Sequence, residues 1–586
     1  MFKLLKNFKK IDFLYLLIIT ALIFFQVYLD LKLPDYMSSI TVLVKTEGSK
    51  MSDILSEGGK MLLCAGGSLL SAIVVSYFTS LVSARYSRNL REKLFKNVES
   101  FGMEQMKQFS TGSLITRTTN DITNVQMFIS MGMQMLIKAP ITAVWAIMKI
   151  LNKNLTWSIM TGGFVIALLV IIAILMSLVL PKFKIIQKLV DKVNSLMREE
   201  LTGIRVVRAF NAEKYQEDKF EKINDELTNT NLYTQTRMSI MSPVMYLIMN
   251  LLTLGIYFLG AGLIENAALG SKIGLFSDMV VFSSYAMQVI MSFLMLAVIF
   301  IMYPRASISM DRIEEVINTK SKITDGKFLG TTKKKGEIEF KKVSFKYPDA
   351  DEYVLKDISF KAKKGETIAF IGSTGSGKST LLNLIPRFYD VTEGEVLVDG
   401  VDVKDYKLSS LHNKLGYVSQ KAMMFGTSIE NNISYGDNGK GKITNKKIKD
   451  ALNVSESEEF VSKLKGEESF VLAEGATNVS GGQKQRLSIA RAIARDPEIY
   501  LFDDTFSALD YKTDAKLRNN LKKYTKDATI LIVAQRIGTI MNADKIIVLD
   551  DGKVVGMGRH KDLLKNCPVY KEIAYSQLGK EELENA

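Results

Sequence analysis

Cysteine and histidine are almost missing from this chain, which has two of each among 586 residues. Cys64 and Cys567 lie in different halves, at no disulfide or metal-binding spacing, which leaves both as structural residues. His412 and His560 are the only imidazoles, so any step that needs one elsewhere must come from another molecule. Negative charge is also short. The net charge of +14 could suit nucleic acid, but much of the excess lies in segments flanking long apolar runs. A membrane protein keeps its cytoplasmic lysines and arginines there, so no nucleic-acid partner is expected. The chain is too long for one compact core. Its 47% hydrophobic content hides a split: residues 1–305 hold the long apolar runs, and 331–586 read as a soluble α/β protein.

Crossing a bilayer takes about 20 apolar residues in a helix. Six segments qualify: 13–33, 61–83, 129–151, 157–180, 243–264 and 276–302. The first follows MFKLLKNFKK, a possible signal-peptide start, but no small-residue cleavage site follows, so a retained helix is expected. Arg85, Arg88, Arg91, Lys93, Lys96, Lys107 and Arg117 lie between spans two and three. Lys182, Lys184, Arg205, Arg208 and Lys222 lie between spans four and five, whereas the links LNKNLT and ENAALGSK are short and nearly uncharged. The positive-inside rule then puts both termini, both basic segments and the C-terminal half in the cytoplasm. The basic segments keep apolar residues at helical spacing with almost no Gly or Pro, so they should extend the membrane helices as stiff arms.

After a basic, turn-rich linker at 318–336, short β-branched runs alternate with helical patterns. ETIAFIGSTGSGKSTLLNLI reads strand, glycine-rich turn, helix, and fits G-x-x-x-x-G-K-[ST] in the context that motif needs. Backbone N–H groups of Gly372, Ser373, Thr374, Gly375, Ser376 and Gly377 can wrap phosphates at a helix N-terminus. Lys378 should reach the β- and γ-phosphates, and the Ser379 hydroxyl, followed by Thr380, should ligate Mg²⁺. In EIYLFDDTFSALD an apolar strand delivers Asp503 to its C-terminal end, where it can hold the Mg²⁺ of an ATP. NVSGGQKQRLSIARAIARDP opens a helix with Ser480, Gly481, Gly482 and Gln483, a second nest of N–H groups suited to a γ-phosphate. One nucleotide needs only one cradle; two domains facing head to tail use both.

With these residues in view, the chain resembles the exporter type of ABC transporter over nearly its whole length. That resemblance implies an α-helical transmembrane domain of six helices with long cytoplasmic extensions (1–317), the linker (318–336) and an α/β P-loop nucleotide-binding domain (337–586). It identifies Gly372–Thr380 as the Walker A loop, Gln420 as the Q-loop, a further possible Mg²⁺ contact, and Asp503 as the Walker B aspartate. It makes Val479–Gln483 the signature motif, with Val where Leu is usual, and Ser507–Asp510 the D-loop, with Asp510 facing the partner's ATP. Tyr347 takes the place of an adenine-stacking aromatic. TGSLITRTTND (111–121) and TGIRVVRAFNAEKYQEDKF (202–220) resemble the intracellular segments whose tips form coupling helices.

Two positions depart from the family pattern. Asp504 stands where the catalytic glutamate is usual, and its carboxylate is withdrawn by about 1.5 Å. Gln535, in LIVAQRIGTI, stands where the switch histidine is usual; it can hydrogen-bond a phosphate but carries no positive charge. Both changes fall on the ATP this chain holds itself, while SGGQ, which serves a partner's ATP, is intact. The resemblance is then to the degenerate-site half of a heterodimeric exporter moving small hydrophobic or amphipathic compounds across a bilayer. A homodimeric lipid or glycolipid flippase and an ATP-gated regulatory protein or channel are the alternatives. Met131, Met133, Met135, Met241, Met245, Met249, Met279, Met287, Met291 and Met295 suit either an adaptable cavity or ordinary packing. Lys138 should snorkel to the inner interface, and Asp278 lies near the outer end of span six, at a gate or a solvated helix end. No peptidase-like domain precedes span one, which weakens a dedicated processing peptide exporter; with no organelle presequence evident and a Lys- and Ile-rich composition, a bacterial plasma membrane is expected. Mass spectrometry of the intact complex is expected to find a second, different chain; a dimer of identical chains would overturn the heterodimer.

Overall fold

The computed structural model describes residues 8–46, 48–151, 153, 155–268, 271–330 and 332–578, except the side chains of Lys184, Phe300 and Ile301. The segment MFKLLKN, the Lys184 side chain and parts of LNKNLT and ENAALGSK lie outside the described residues. The chain divides into two units: one runs through Glu99 and resumes at Thr111–Thr319, the other takes Ser100–Ser110 and continues from Lys320.

The first unit is helical. Helices α1 (Lys10–Lys45) and α2 (Met51–Glu99) are followed by a short α3 (Met103–Gln108), which belongs to the second unit. Then come α4 (Thr111–Leu151), α5 (Leu155–Ala209), α6 (Glu213–Glu265) and α7 (Lys272–Asn318). Six of these, all but α3, are long and apolar enough to cross a membrane. Their outward faces are apolar: Leu17, Leu62, Leu63 and Phe258 are among the exposed side chains. At about 1.5 Å per residue, the 55 residues of α5 reach about 80 Å, against about 30 Å of hydrocarbon. The expected extension of the membrane helices well beyond the bilayer is therefore present.

The intracellular segments differ in detail from the sequence reading. The separate short helix of the first is α3, ahead of 111–121; that stretch begins α4 and includes a π-helical turn at Arg117–Asp121. The second forms no separate helix. There α5 ends in a Schellman motif: Asn211 adopts φ 50°, Ala212 N–H donates to Val207 O at 2.9 Å, and α6 starts at once. Asn tolerates the left-handed region better than most residues, which is why the chain reverses there.

Three lysines of the membrane unit pair with carboxylates. Lys138 does not reach for the inner interface; its ammonium lies 3.3 Å from Asp30 of α1, whose other oxygen accepts from Ser68 of α2. Lys149 pairs with Asp35 at 2.6 Å, and Lys153 with Asp278 at 2.5 Å. In hydrocarbon a lone ammonium is expensive, and a carboxylate on a neighbouring helix is a closer remedy than the interface. The Tyr285 hydroxyl of α7, on a fully buried ring, donates to Asp35 at 2.6 Å and lies 3.1 Å from Leu31 O. Further along, buried Arg117 donates to Arg312 O at 2.7 Å, and Ser309 donates to Asp121 at 2.9 Å, joining α4 to α7.

The second unit holds two sheets. An antiparallel sheet has the order β2 (Leu355–Ala362), β1 (Ile338–Phe345), β4 (Glu393–Val398) and β5 (Val401–Asp402). The larger sheet has the order β10 (Lys553–Gly558), β9 (Lys545–Asp550), β3 (Thr367–Gly372), β8 (Thr529–Val533), β7 (Ile499–Asp503) and β6 (Leu415–Val418). From β9 to β6 every pairing is parallel. Its central strands are buried on both faces, as parallel strands flanked by helices must be. In β8, Ile530 and Ile532 enter one core while Leu531 and Val533 enter the other, the period of two that a pleated strand imposes.

Replacing Tyr285 by Phe removes the donor that holds Asp35 to α7. Thermal unfolding in detergent is expected to lose about 1–3 kcal/mol; an unchanged midpoint would remove this contact from the account of helix packing.

Candidate functional site

Four neighbouring parallel strands, β3, β8, β7 and β6, end side by side, and each carries one piece of chemistry at its carboxyl end. Register fixes this: Phe370 pairs with Val533, Val533 with Asp503, and Phe502 with Val418. The glycine-rich loop thus leaves β3, Gln535 follows β8, Asp503 and Asp504 close β7, and Gln420 follows β6. Crevices at the carboxyl ends of an open α/β sheet are where ligands bind.

Two glycines make the loop possible. A Cβ on Gly372 would fall 2.0 Å from Leu549 O, and one on Gly377, at φ 93°, would meet Leu355 Cδ2 at 2.7 Å. Gly377 leads into α8 (Lys378–Leu384). Lys378 folds back over the loop, donating to Gly372 O at 2.9 Å and Ser373 O at 2.6 Å. Burial lowers its pKa, and the charges of Asp504 and Asp503 oppose that shift. Ser379 Oγ donates to Asp503 at 2.7 Å, so the hydroxyl and carboxylate expected to share a metal already meet.

Asp504 is gripped by two amides. Gln535 Nε2 donates to its Oδ2 at 2.9 Å and Gln420 Nε2 to the same oxygen at 3.3 Å. Ser507 Oγ donates to Asp504 O at 2.9 Å. Asp504 adopts φ 44°, a left-handed conformation that Asp accepts more readily than most side chains. Burial raises the pKa of both Asp503 and Asp504 above the ordinary carboxylate range.

Tyr347 lies in an aromatic corner that the sequence reading saw only in part. Its hydroxyl is 3.0 Å from Thr380 Oγ1, and its ring meets Tyr389 edge-on at 5.2 Å and Phe345 at 5.0 Å. Lys107, next to last in α3, sits 4.5 Å from the centre of the same ring. In sequence Lys107 reads only as one of the basic residues between spans two and three, and no local signal marks it as a neighbour of Tyr347.

Val479–Gln483 stands apart. Ser480 caps the helix α9 (Gly481–Ala494) in a capping box: Gln483 N–H donates to Ser480 Oγ at 3.3 Å, and Ser480 N–H donates to Gln483 Oε1 at 2.8 Å. Gly482 passes the backbone of the 507–510 turn, where a Cβ would be 3.3 Å from Ala508 O. Asp510 caps α10 (Tyr511–Tyr524), accepting from Thr513 N–H at 3.0 Å, which lowers its pKa. Among the described residues, no hydrogen bond joins Val479–Gln483 to the glycine-rich loop. The methionines of the membrane unit divide: Met279 packs between Gly260 and Trp157, and Met133 lines a cavity of about 10 Å³, while Met131 and Met291 face outward.

Six membrane helices and a P-loop unit on one chain make an ATP-powered membrane transporter. Comparison with known proteins narrows this. The chain matches the ABC transporter transmembrane region over residues 15–293 and the ABC transporter domain over residues 355–507. It is 38% identical over 549 residues to an ABC transporter ATP-binding protein of Mycobacterium tuberculosis, covering 92% of this chain and 93% of that one. It is 31% identical over 509 residues to the ATP-dependent lipid A-core flippase of Haemophilus influenzae, covering 86% and 85%. The structure of a bacterial Atm1-family ABC exporter with ATP bound shares its fold, with a TM-score of 0.81, 23% identity and coverage of 96% and 98%. The chain belongs to the ABC transporter family, in its exporter form: a multi-pass membrane protein that binds ATP and couples its hydrolysis to transport.

The buried carboxylates carry a sign that can be tested. A raised folded pKa means the folded chain binds protons more tightly than the unfolded one. Stability then falls as pH climbs from the ordinary carboxylate value through the raised one. Without nucleotide, Asp503→Asn is therefore expected to raise the unfolding temperature at pH 7, with the gain shrinking near pH 4. A lower unfolding temperature at pH 7 would overturn the reading of Asp503 as a destabilising buried charge.

Proposed function

We propose that this chain is one half of a heterodimeric exporter of hydrophobic or amphipathic compounds, whose own ATP site binds nucleotide but hydrolyses it poorly. Residues 1–317 form the membrane domain, 318–336 the linker and 337–586 the nucleotide domain. In this reading both termini and the nucleotide domain are cytoplasmic and the membrane is a bacterial cell membrane.

ATP lies on Gly372–Thr380, with Lys378 on its terminal phosphates and Tyr347 against the adenine. Ser379, Asp503 and Gln420 fit a Mg²⁺ ion: hydroxyl, carboxylate and amide oxygens are the hard ligands it takes, and Ser379 and Asp503 already touch. The ion would neutralise phosphate charge; this chain's part is to hold the phosphates and keep Asp503 ionised beside them. Val479–Gln483 and Asp510 serve the ATP of the other chain. ATP-driven closure between the two chains' nucleotide domains opens the membrane helices outward, and hydrolysis at the other site resets them.

The observation that carries the reading is the grip on Asp504. A base must receive a proton from water, yet one oxygen of Asp504 is already engaged by two amide donors that neither release nor accept protons. Binding is spared, because the phosphate loop keeps all its glycines and Lys378. Similarity to a lipid A-core flippase favours amphipathic lipids among the substrate classes and keeps a homodimeric flippase as the second reading.

In the purified pair, Asp504→Asn is expected to change ATP turnover less than about twofold, whereas Ser480→Ala should lower it by on the order of 10²-fold, the scale for losing one oxyanion donor. Severe loss from Asp504→Asn alone would overturn the degenerate-site assignment.

A further inference from the structure

We propose that the start of α1 and the middle of α2 form a binding site for the headgroup of an anionic phospholipid. The site rests on the reading that both helices enter the bilayer from the cytoplasmic side. A cavity of about 140 Å³ lies between them, lined by Lys9, Asp12, Arg85, Arg88, Asn89 and Glu92. That is the space of several waters, at about 30 Å³ each, and holds a phosphate group.

The cations of this cavity hold no direct ion pair with a carboxylate among the described residues, whereas its two carboxylates are engaged. Asp12 accepts from the Lys9 backbone N–H at 2.8 Å and is buried, and Glu92 is paired with Lys96 at 2.6 Å, one turn further along α2. No carboxylate of the described residues lies within 4 Å of the Arg85 or Arg88 guanidinium, and both arginines are exposed. Left over are two guanidinium forks and a lysine, all donors, with the NH₂ of an asparagine amide beside them. Planar donor forks match a phosphate oxygen pair.

What lies towards the membrane selects a lipid. Arg85 rests 5.6 Å from the Tyr15 ring, Tyr15 meets Phe78 at 5.6 Å, and Phe78 meets Tyr77 at 5.6 Å. Phe78 is seven residues before Arg85, about 10 Å deeper along the helix. Beside this aromatic patch the chain exposes Ile11 (42%), Leu14 (56%) and Tyr77 (65%), a lane for an acyl chain below the headgroup. Basic residues above an aromatic belt at the cytoplasmic boundary are how helices hold anionic lipids.

The test is native mass spectrometry of the full chain with its natural partner, titrated with phosphatidylglycerol or phosphatidylcholine of the same acyl chains. The natural protein should retain phosphatidylglycerol preferentially, and millimolar inorganic phosphate should not displace it. Arg85→Gln with Arg88→Gln should weaken that retention by about thirtyfold, at roughly fivefold per cation, without changing retention of phosphatidylcholine. Arg85→Lys with Arg88→Lys should recover most of it, and Arg91→Gln, outside the cavity, should leave it intact. Equal retention by the double glutamine variant would overturn the proposal. So would displacement by phosphate alone, which would mark a site for soluble anions. ATP turnover of the same samples reports on the transport reading separately, since none of these residues belongs to the nucleotide site.

Discussion

Asp503 and Asp504 stand side by side at the closed end of β7, each less than a tenth exposed, and the nucleotide unit is organised around them. Neighbouring carboxylates out of water repel one another and lose hydration, so each must be answered by a donor or a cation. The parallel sheet supplies the answers from the segments that follow its other strands. From β3 come Lys378 and Ser379; from β6 comes Gln420; from β8 comes Gln535. None of these side chains is near β7 in sequence. Their convergence is a product of register, and a single-residue slip in one strand would turn its terminal side chain to the opposite face.

The same arrangement explains why Asp504 is comfortable as aspartate. Its backbone lies in the left-handed region, where a short carboxylate that can bond locally is tolerated better than a longer side chain. A glutamate there bears some backbone cost and presumes a function that offsets it. Gln535 finds the shorter carboxylate at 2.9 Å. Asp504 and Gln535 are thus structurally coupled: each is the other's hydrogen-bond partner, and a neutral amide stabilises the carboxylate without adding a proton to the site.

Much of this was legible in the residues, for physical reasons that differ by feature. The spans were readable because hydrocarbon demands length and apolarity, and those are properties of contiguous sequence. The phosphate loop was readable because Gly372 and Gly377 meet backbone or side chains that no Cβ could clear, so the spacing of the motif is the geometry itself. Lys138 was misread for the opposite reason. Snorkelling is a local rule, whereas Asp30 is more than a hundred positions away and reaches Lys138 only after α1 and α4 have packed. The pairing of Asp35 with Lys149 and Tyr285 was missed in the same way. Lys107 belongs here too, since its place over Tyr347 depends on α3 joining the second unit although α2 and α4 belong to the first.

The two kinds of charge in this chain therefore obey one rule in two solvents. Within the membrane unit, Asp30, Asp35 and Asp278 each meet a lysine, and for the first two, on membrane helices, a partner offsets the cost of a charge in hydrocarbon. At the end of β7 the carboxylates are left short of cations. Lys378 faces the loop carbonyls, and amides do the rest. A site meant to receive a polyanion with its metal cannot be neutral beforehand; a full complement of internal ion pairs would leave nothing to attract the ligand. The incomplete compensation at Asp503 is a cost in the ligand-free fold and a source of affinity for a cation once nucleotide arrives. That cost is carried by two adjacent buried carboxylates, of which Asp503 meets the Ser379 hydroxyl and Asp504 meets two amides.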